Sequence, residues 1–274
     1  MIKVKVFAKV NLSLEINGIE NGFHMLDSVV ASADIVDVIS LAKSESDSVK
    51  ITPCYDSVKE KIYSLISFMR AKYEFESVNI NIEKNIPLGG GLGGSSAPIA
   101  GVIRGIDQLF SLNLSKQEMV DIANNFGSDT AFMLYGGCGK IVERSRVCNE
   151  FEMKERNIVI ATKGFCDTKE VFALYDNSPV TLQYINNEVL INALKNNESI
   201  DGLCVNRLIY SAMQLNPAIE QGLKVLGGNA SMSGSGSSVF AFGVKQTEKD
   251  KLKQNGFRVF DCKIGNYKTQ VIKE

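Results

Sequence analysis

The chain has 274 residues, 45% hydrophobic and 22% charged, with a formal net charge of −1. That length holds one large domain or two closely packed domains of about 100–200 residues each. The near-neutral balance gives no sign of a basic nucleic-acid surface or an acidic solvating tail, so any anionic ligand must be held by local features.

Met1 to Ala8 alternates lysine with apolar residues, which predicts a strand and not a signal peptide. Leu12, Leu14 and Ile16 continue the alternation, broken by the turn signals Asn17-Gly18 and Asn21-Gly22. Val29 to Leu41 reads as further strand. From Ser57 the period changes: Val58, Ile62, Leu65, Ile66, Met69 and Tyr73 recur at helical spacing. Val78, Ile80 and Ile82 return to strand. A glycine-rich loop follows, then a buried helix through Ile99, Val102, Ile103, Ile106, Leu109 and Phe110. Ser115-Lys116-Gln117-Glu118 predicts a capping box for the next helix, with Gly127 as its stop. The second half begins near Asn157 with an apolar strand, dividing the chain into expected domains 1–155 and 156–274. Leu182 to Leu194, Leu203 to Met213 and Ile219 to Leu226 read as helices. A second loop, Ser233-Gly234-Ser235-Gly236-Ser237, precedes a strand at Val239 to Val244. Helices and strands alternate, but the leading strands read as antiparallel hairpins. The expected class is α+β, a two-layer α/β architecture, over a doubly wound sheet.

The six cysteines form no C-x-x-C pair, and a single histidine leaves no Cys/His zinc cluster. They read as small core residues in a reducing cytoplasm. No stretch reaches the roughly 18 apolar residues of a membrane span.

The strongest chemical signal is Pro87-Leu88-Gly89-Gly90-Gly91-Leu92-Gly93-Gly94-Ser95-Ser96. Glycines let backbone N–H groups turn inward together, and a following helix N-terminus adds donors, an arrangement suited to polyphosphate. Ser95 or Ser96 is placed to cap the helix, touch a phosphate or reach a magnesium ion. The loop lacks the Gly-Lys-Ser/Thr ending of a P-loop and the context of a dinucleotide fingerprint.

The order of motifs resembles the GHMP kinases, whose signature loop Pro87 to Ser96 matches. Within that superfamily the set is most similar to the diphosphocytidyl-methylerythritol kinases. Their Ala-Lys-x-Asn-Leu stands at Ala8-Lys9-Val10-Asn11-Leu12, and their Gly-Tyr-His at Gly22-Phe23-His24. Their Gly-Ala-Asp-Val-Pro-Phe stands at Gly127-Ser128-Asp129-Thr130-Ala131-Phe132, and their late serine–glycine loop at Ser233 to Ser237. The resemblance implies a two-domain GHMP fold, ribosomal protein S5-like in its N-terminal domain and ferredoxin-like in its C-terminal one. It implies ATP with Mg2+ as cofactors and a small cytidine diphosphate-linked alcohol as substrate, with no nucleic-acid or membrane partner, in a monomer or homodimer.

The resemblance also implies roles. Asp129 would take the proton of the attacking hydroxyl, and Lys9 would hold Asp129 ionised. Pro87, Gly89, Gly90, Gly91, Leu92, Gly93, Gly94, Ser95 and Ser96 would bind ATP. Asn11 would touch the substrate, His24 would read the cytosine edge, and Phe23 and Phe172 would cover its faces. Read without the resemblance, Asp129 is equally a helix N-cap, Lys9 a solvated strand lysine and Phe172 a core aromatic. The chain departs from the family at Pro98 and Ile99, where the loop usually continues with an aspartate, and at Arg207, in place of the aspartate of Asn-Asp-Leu-Glu. Another GHMP kinase, or a nucleotide-binding protein without kinase activity, is the competing expectation.

Overall fold

A computed structural model of the protein describes residues 1–20, 22–143, 146–177 and 186–274. Strand β1 (Ile2–Asn11) buries alternate residues through Val6 and every residue from Ala8 onward. Strands β2 (Glu15–Glu20) and β3 (Phe23–Lys43) form an antiparallel hairpin. Strands β4 (Ser48–Thr52) and β5 (Val78–Glu83) pair in parallel, and α1 (Asp56–Arg70) supplies the crossover that a parallel pair needs. Helix α1 buries Val58, Ile62, Leu65, Ile66 and Met69, the stripe read from the sequence except for Tyr73, which lies past the helix end at Arg70.

The glycine loop leads into α2 (Ser96–Phe110), followed by α3 (Lys116–Asn124) and the single turn α4 (Thr130–Met133). A Cβ at Gly105 would stand 2.3 Å from Leu41 Cδ1, and one at Gly101 2.6 Å from Ile39 Cδ1, so these two glycines let α2 lie directly on β3. The capping box of α3 forms as expected: Ser115 Oγ accepts from Glu118 N–H at 3.2 Å, and Glu118 accepts from Ser115 N–H at 3.0 Å. Gly127 is not the stop. Helix α3 ends at Asn124, because Asn125 and Phe126 N–H donate to Ile122 and Ala123 in a tighter final turn.

The remaining elements are β6 (Cys138–Glu143), β7 (Arg146–Glu150), β8 (Arg156–Thr162), α5 (Thr168–Asn177), α6 (Asn187–Lys195), α7 (Ile209–Leu215), α8 (Ala218–Leu226), β9 (Ser231–Met232), β10 (Val239–Ala241), α9 (Gln246–Gln254), β11 (Arg258–Gly265) and β12 (Gln270–Lys273). The first part of the helix expected from Leu182, residues 182–185, lies outside the described residues; the rest is α6. The helix expected from Leu203 starts only at Ile209. Its leading residues serve as extended backbone instead: Leu14 N–H donates to Val205 O at 2.7 Å, and Arg207 N–H to Leu14 O at 2.9 Å.

All described strands join one sheet, with β12-β1-β3-β11-β8-β10-β9 as its main path and every pair but β4–β5 antiparallel. Strand β3 is the hub, pairing with β1, β2, β5, β6 and β11. The buried apolar side chains form two clusters. The larger lies under α1, α2 and the central strands, and the smaller gathers Leu14, Val171, Leu208, Ile219 and Val239. Cys54, Cys138, Cys166, Cys204 and Cys262 are free thiols, and the side chain of Cys148 lies outside the described residues. Among the described residues no helix is long and apolar enough to cross a membrane.

One buried ion pair roots the glycine loop. Lys84 Nζ lies 2.8 Å from Asp37 Oδ2 on β3, both side chains shut off from solvent. Asp37 Oδ1 also accepts from Asn85 N–H at 2.7 Å and Ile86 N–H at 2.9 Å. Burial pushes the Asp37 carboxyl up and the Lys84 ammonium down, and their mutual attraction opposes both. Removing one partner of such a pair costs about 3–5 kcal/mol, since the other charge is left buried and uncompensated. Lys84→Met is therefore expected to lower the denaturation midpoint by an amount equivalent to about 3 kcal/mol or more; a midpoint equal to the parent's would remove the pair from the supports of the loop.

Candidate active site

The glycine loop adopts left-handed φ at Gly89 (63°), Gly91 (71°) and Gly93 (77°), a region costly for other residues. The carbonyls from Gly89 to Gly93 are all engaged. Gly89 O accepts from Ser237 N–H at 3.2 Å and Cys166 N–H at 3.3 Å, Gly90 O from Ser238 N–H at 3.1 Å, and Leu92 O from Lys9 N–H at 3.1 Å. Gly91 O accepts from Ser233 Oγ at 2.8 Å, and Gly93 O from Ser96 and Ala97 N–H at 3.0 and 2.9 Å. A planar trans peptide sends its N–H opposite its C=O. Tying back these carbonyls therefore aims the amides of the following residues the other way. Among the described residues, no amide from Gly89 to Ser95 donates to a protein acceptor. The loop is a nest of N–H groups, the arrangement that holds phosphate oxygens.

The helix N-terminus contributes less than the sequence suggests. Ser96 and Ala97 spend their N–H groups on Gly93 O, and Pro98 has none. Proline is tolerated there because first-turn amides lack intrahelical partners. Ser95 makes no capping bond and lines the cleft, so its hydroxyl is uncommitted, whereas Ser96 is buried. Leu92 contributes backbone only, since its side chain lies in the core. Pro87 closes the loop: a Cβ on Gly94 would stand 2.0 Å from Pro87 O.

Lys9 comes from the buried end of β1 and is 3% exposed. Its ammonium lies 3.3 Å from Asp129 Oδ2 and donates to Asn11 Oδ1. Asp129 stands at the N-cap position of α4 yet makes no capping bond, and its carboxylate is 32% exposed toward the cleft. The capping reading of Asp129 is thus not realised, and neither is the solvated reading of Lys9.

These groups share one cleft, lined by Lys9, Asn11, Asp129, the glycine loop, Gly234-Ser235-Gly236 and Phe172. The imidazole of His24, from β3, lies against Phe172 of α5, with ring centroids 4.5 Å apart. Its Nε2 lies 2.7 Å from Asp176 Oδ1. The side chain of Phe23 lies outside the described residues.

The sequence reading missed several contributors. Ser233 holds Gly91 O and accepts from Asn11 N–H at 3.1 Å; its loop was legible as a motif, its bonds were not. Asn206 fixes that loop by donating to Met232 O at 2.7 Å and Gly234 O at 2.8 Å. Arg207 pairs with buried Glu15, which accounts for the departure at that position. Asp176 carried no local signal.

Residues 60–137 match a family model described as the GHMP kinases N terminal domain. A 4-diphosphocytidyl-2-C-methyl-D-erythritol kinase from Caldicellulosiruptor bescii is 31% identical over 262 residues, spanning 89% of this chain and 90% of that protein. Its counterpart from Caldanaerobacter subterraneus subsp. tengcongensis is 32% identical over 254 residues, 87% of each chain. A crystal structure of a 4-(cytidine 5'-diphospho)-2C-methyl-D-erythritol kinase matches the fold with a TM-score of 0.78 at 22% identity, covering 97% of this chain and 100% of that one.

A side chain at Gly91 would place its Cβ 2.0 Å from Ser233 O and break the bond that turns the loop. Orphaned polar groups cost about 1–3 kcal/mol each, so Gly91→Ala is expected to weaken nucleoside triphosphate binding by roughly tenfold or more. Calorimetry giving equal affinity for a folded Gly91→Ala protein and the parent would refute the nest.

Proposed function

The chain belongs to the 4-diphosphocytidyl-2-C-methyl-D-erythritol kinase family of GHMP kinases, and from that membership we propose that it phosphorylates the tertiary 2-hydroxyl of cytidine diphosphate-linked methylerythritol, in non-mevalonate isoprenoid precursor synthesis. It is an ATP-dependent small-molecule kinase. The observation that carries the reading is the Lys9–Asp129 contact of 3.3 Å in the same cleft as a loop of free amides.

In this reading Asp129 accepts the proton as the substrate oxygen attacks the γ-phosphorus, and the bond to the β–γ bridging oxygen breaks to release ADP. Lys9 spends one N–H on Asn11 and one on Asp129, leaving a third for a phosphate oxygen. The loop amides take up the charge that develops on the transferring group. Mg2+ fits this donor set. Such ions are bound largely through substrate phosphates and waters, which Ser95 Oγ and the other carboxylate oxygen of Asp129 would join. It would neutralise phosphate charge there.

The cytidine end rests on His24. In the neutral imidazole, a carboxylate at Nε2 selects the tautomer with the proton on that nitrogen and Nδ1 as an acceptor. An acceptor suits the exocyclic amino group of cytosine and not the carbonyl of uracil. Phe172, against which the imidazole lies, and Phe23 are the rings that would cover the faces of the base. The departures from the family pattern are accommodated: Pro98 sits in a first turn, and Arg207 has Glu15. That supports an active kinase over a binding-only protein. We place the enzyme in the cytoplasm, with units 1–155 and 156–274 both contributing to the cleft.

Asp129→Asn keeps the shape but takes no proton. Turnover is expected to fall about 100-fold or more, with ATP affinity little changed. Near-parental turnover would sink Asp129 as the base. Base stacking on a ring is worth about 1–3 kcal/mol, so Phe172→Ala is expected to weaken substrate binding by roughly 5- to 150-fold. His24→Ala is expected to erase the preference for cytidine over uridine diphosphate in competitive binding. A parent enzyme without that preference would point to a different alcohol.

A further inference from the structure

The amide of Asn11 faces Lys9 with its oxygen, and the reason lies one layer further in. Lys9 has only hydrogens to offer, so the group it meets must be Oδ1. That choice requires a partner able to accept from Nδ2 on the other side. The partner is Ser28 Oγ, at 2.8 Å, on β3 and 1% exposed. Ser28 in turn donates to Ser13 O at 2.5 Å. A carbonyl only accepts, so the Ser28 hydrogen is committed and its lone pairs face Asn11. Ser13 is itself pinned. Its hydroxyl accepts from Val29 N–H at 3.1 Å and donates to Asn187 Oδ1 at 2.5 Å. Asn187 completes the chain by donating to Asp27 Oδ1 at 2.8 Å and Asp27 O at 3.1 Å. Every member of this relay is buried, and its donor–acceptor sense is fixed from end to end.

We propose that Ser28 is a positioning residue for phosphoryl transfer: it locks the Asn11 amide with its oxygen on the Lys9 ammonium, and so holds that ammonium between Asn11 and Asp129. Ser28 touches no substrate. It acts through Asn11, and the Ser13–Asn187–Asp27 segment keeps its hydrogen pointed away. This rests on the catalytic reading of Lys9 and Asp129 given above.

The test is a double-mutant cycle on kcat with an orientation readout beside it. Ser28→Ala is expected to lower kcat by roughly 5- to 100-fold, in line with an orphaned buried amide, while the KM for ATP stays near the parent's. Ser28→Thr keeps the hydroxyl and is expected to recover most of the loss. In an Asn11→Ala background, Ser28→Ala is expected to add nothing further. Additive losses in the double variant, or a Thr variant as impaired as the Ala variant, overturn the proposal. In parallel, the side-chain amide protons of Asn11 are followed by NMR without substrate. One slowly exchanging proton is expected in the parent and in Ser28→Thr, and none in Ser28→Ala. Equal protection in all three overturns the proposal whatever the kinetics. Absence of turnover in the parent with any alcohol refutes the catalytic reading instead, and the exchange measurement still decides the orientation.

Discussion

Each carbonyl from Gly89 to Gly93 is claimed by another part of the chain, and the cleft depends on that. The donors come from β1, from the Ser233–Ser238 loop, from the segment after β8 and from the start of α2. None of these bonds touches a ligand. Their joint effect is to choose which face of each peptide plane a ligand meets, and the face they leave is uniformly N–H. Side-chain charge is added at one edge of the loop by Lys9 and Asp129. On the proposed reading, a chain with almost no net charge would hold a polyphosphate in this way, by backbone amides.

The loop was legible in the sequence because its chemistry is local. Glycines at alternate positions announce left-handed backbone, and the φ values at Gly89, Gly91 and Gly93 follow. The capping box at Ser115 and the α1 stripe are equally local, and both stand where they were expected. Gly127 shows the limit of such reading: a glycine after an apolar run suggests an end, but Asn125 and Phe126 had already closed the turn. The segment from Leu203 has helical spacing, yet Leu14 captures it as extended chain from a position far away. Tertiary bonding overrode propensity there. The partners of the site residues were illegible for the same reason. His24 and Asp176 are 152 positions apart, Asp27 and Asn187 160, and Asn11 and Ser233 222.

Departures from a family pattern can be weighed by what receives them. Arg207 sits beside a buried Glu15 that gives its charge a partner. Pro98 removes an amide from a helix start whose other amides are already bound to Gly93 O. In both places the neighbourhood has adjusted with the residue, and the geometry of Lys9, Asn11 and Asp129 is left alone.

Strand β3 runs unbroken for 21 residues from Phe23 to Lys43. Its first part carries His24 and Ser28, and its later part carries Asp37, which anchors the root of the phosphate loop. At about 3.3 Å per residue, His24 and Asp37 are separated by about 40 Å of extended chain. The strand is therefore a ruler that sets one end of the cleft against the other. The β1–β3 register already shifts between Ala33 and Val36; an inserted or deleted residue elsewhere between Ser28 and Asp37 would move the side chains that follow it to the opposite face. Length is thus constrained along the regular parts of the strand, on both sides of that irregularity.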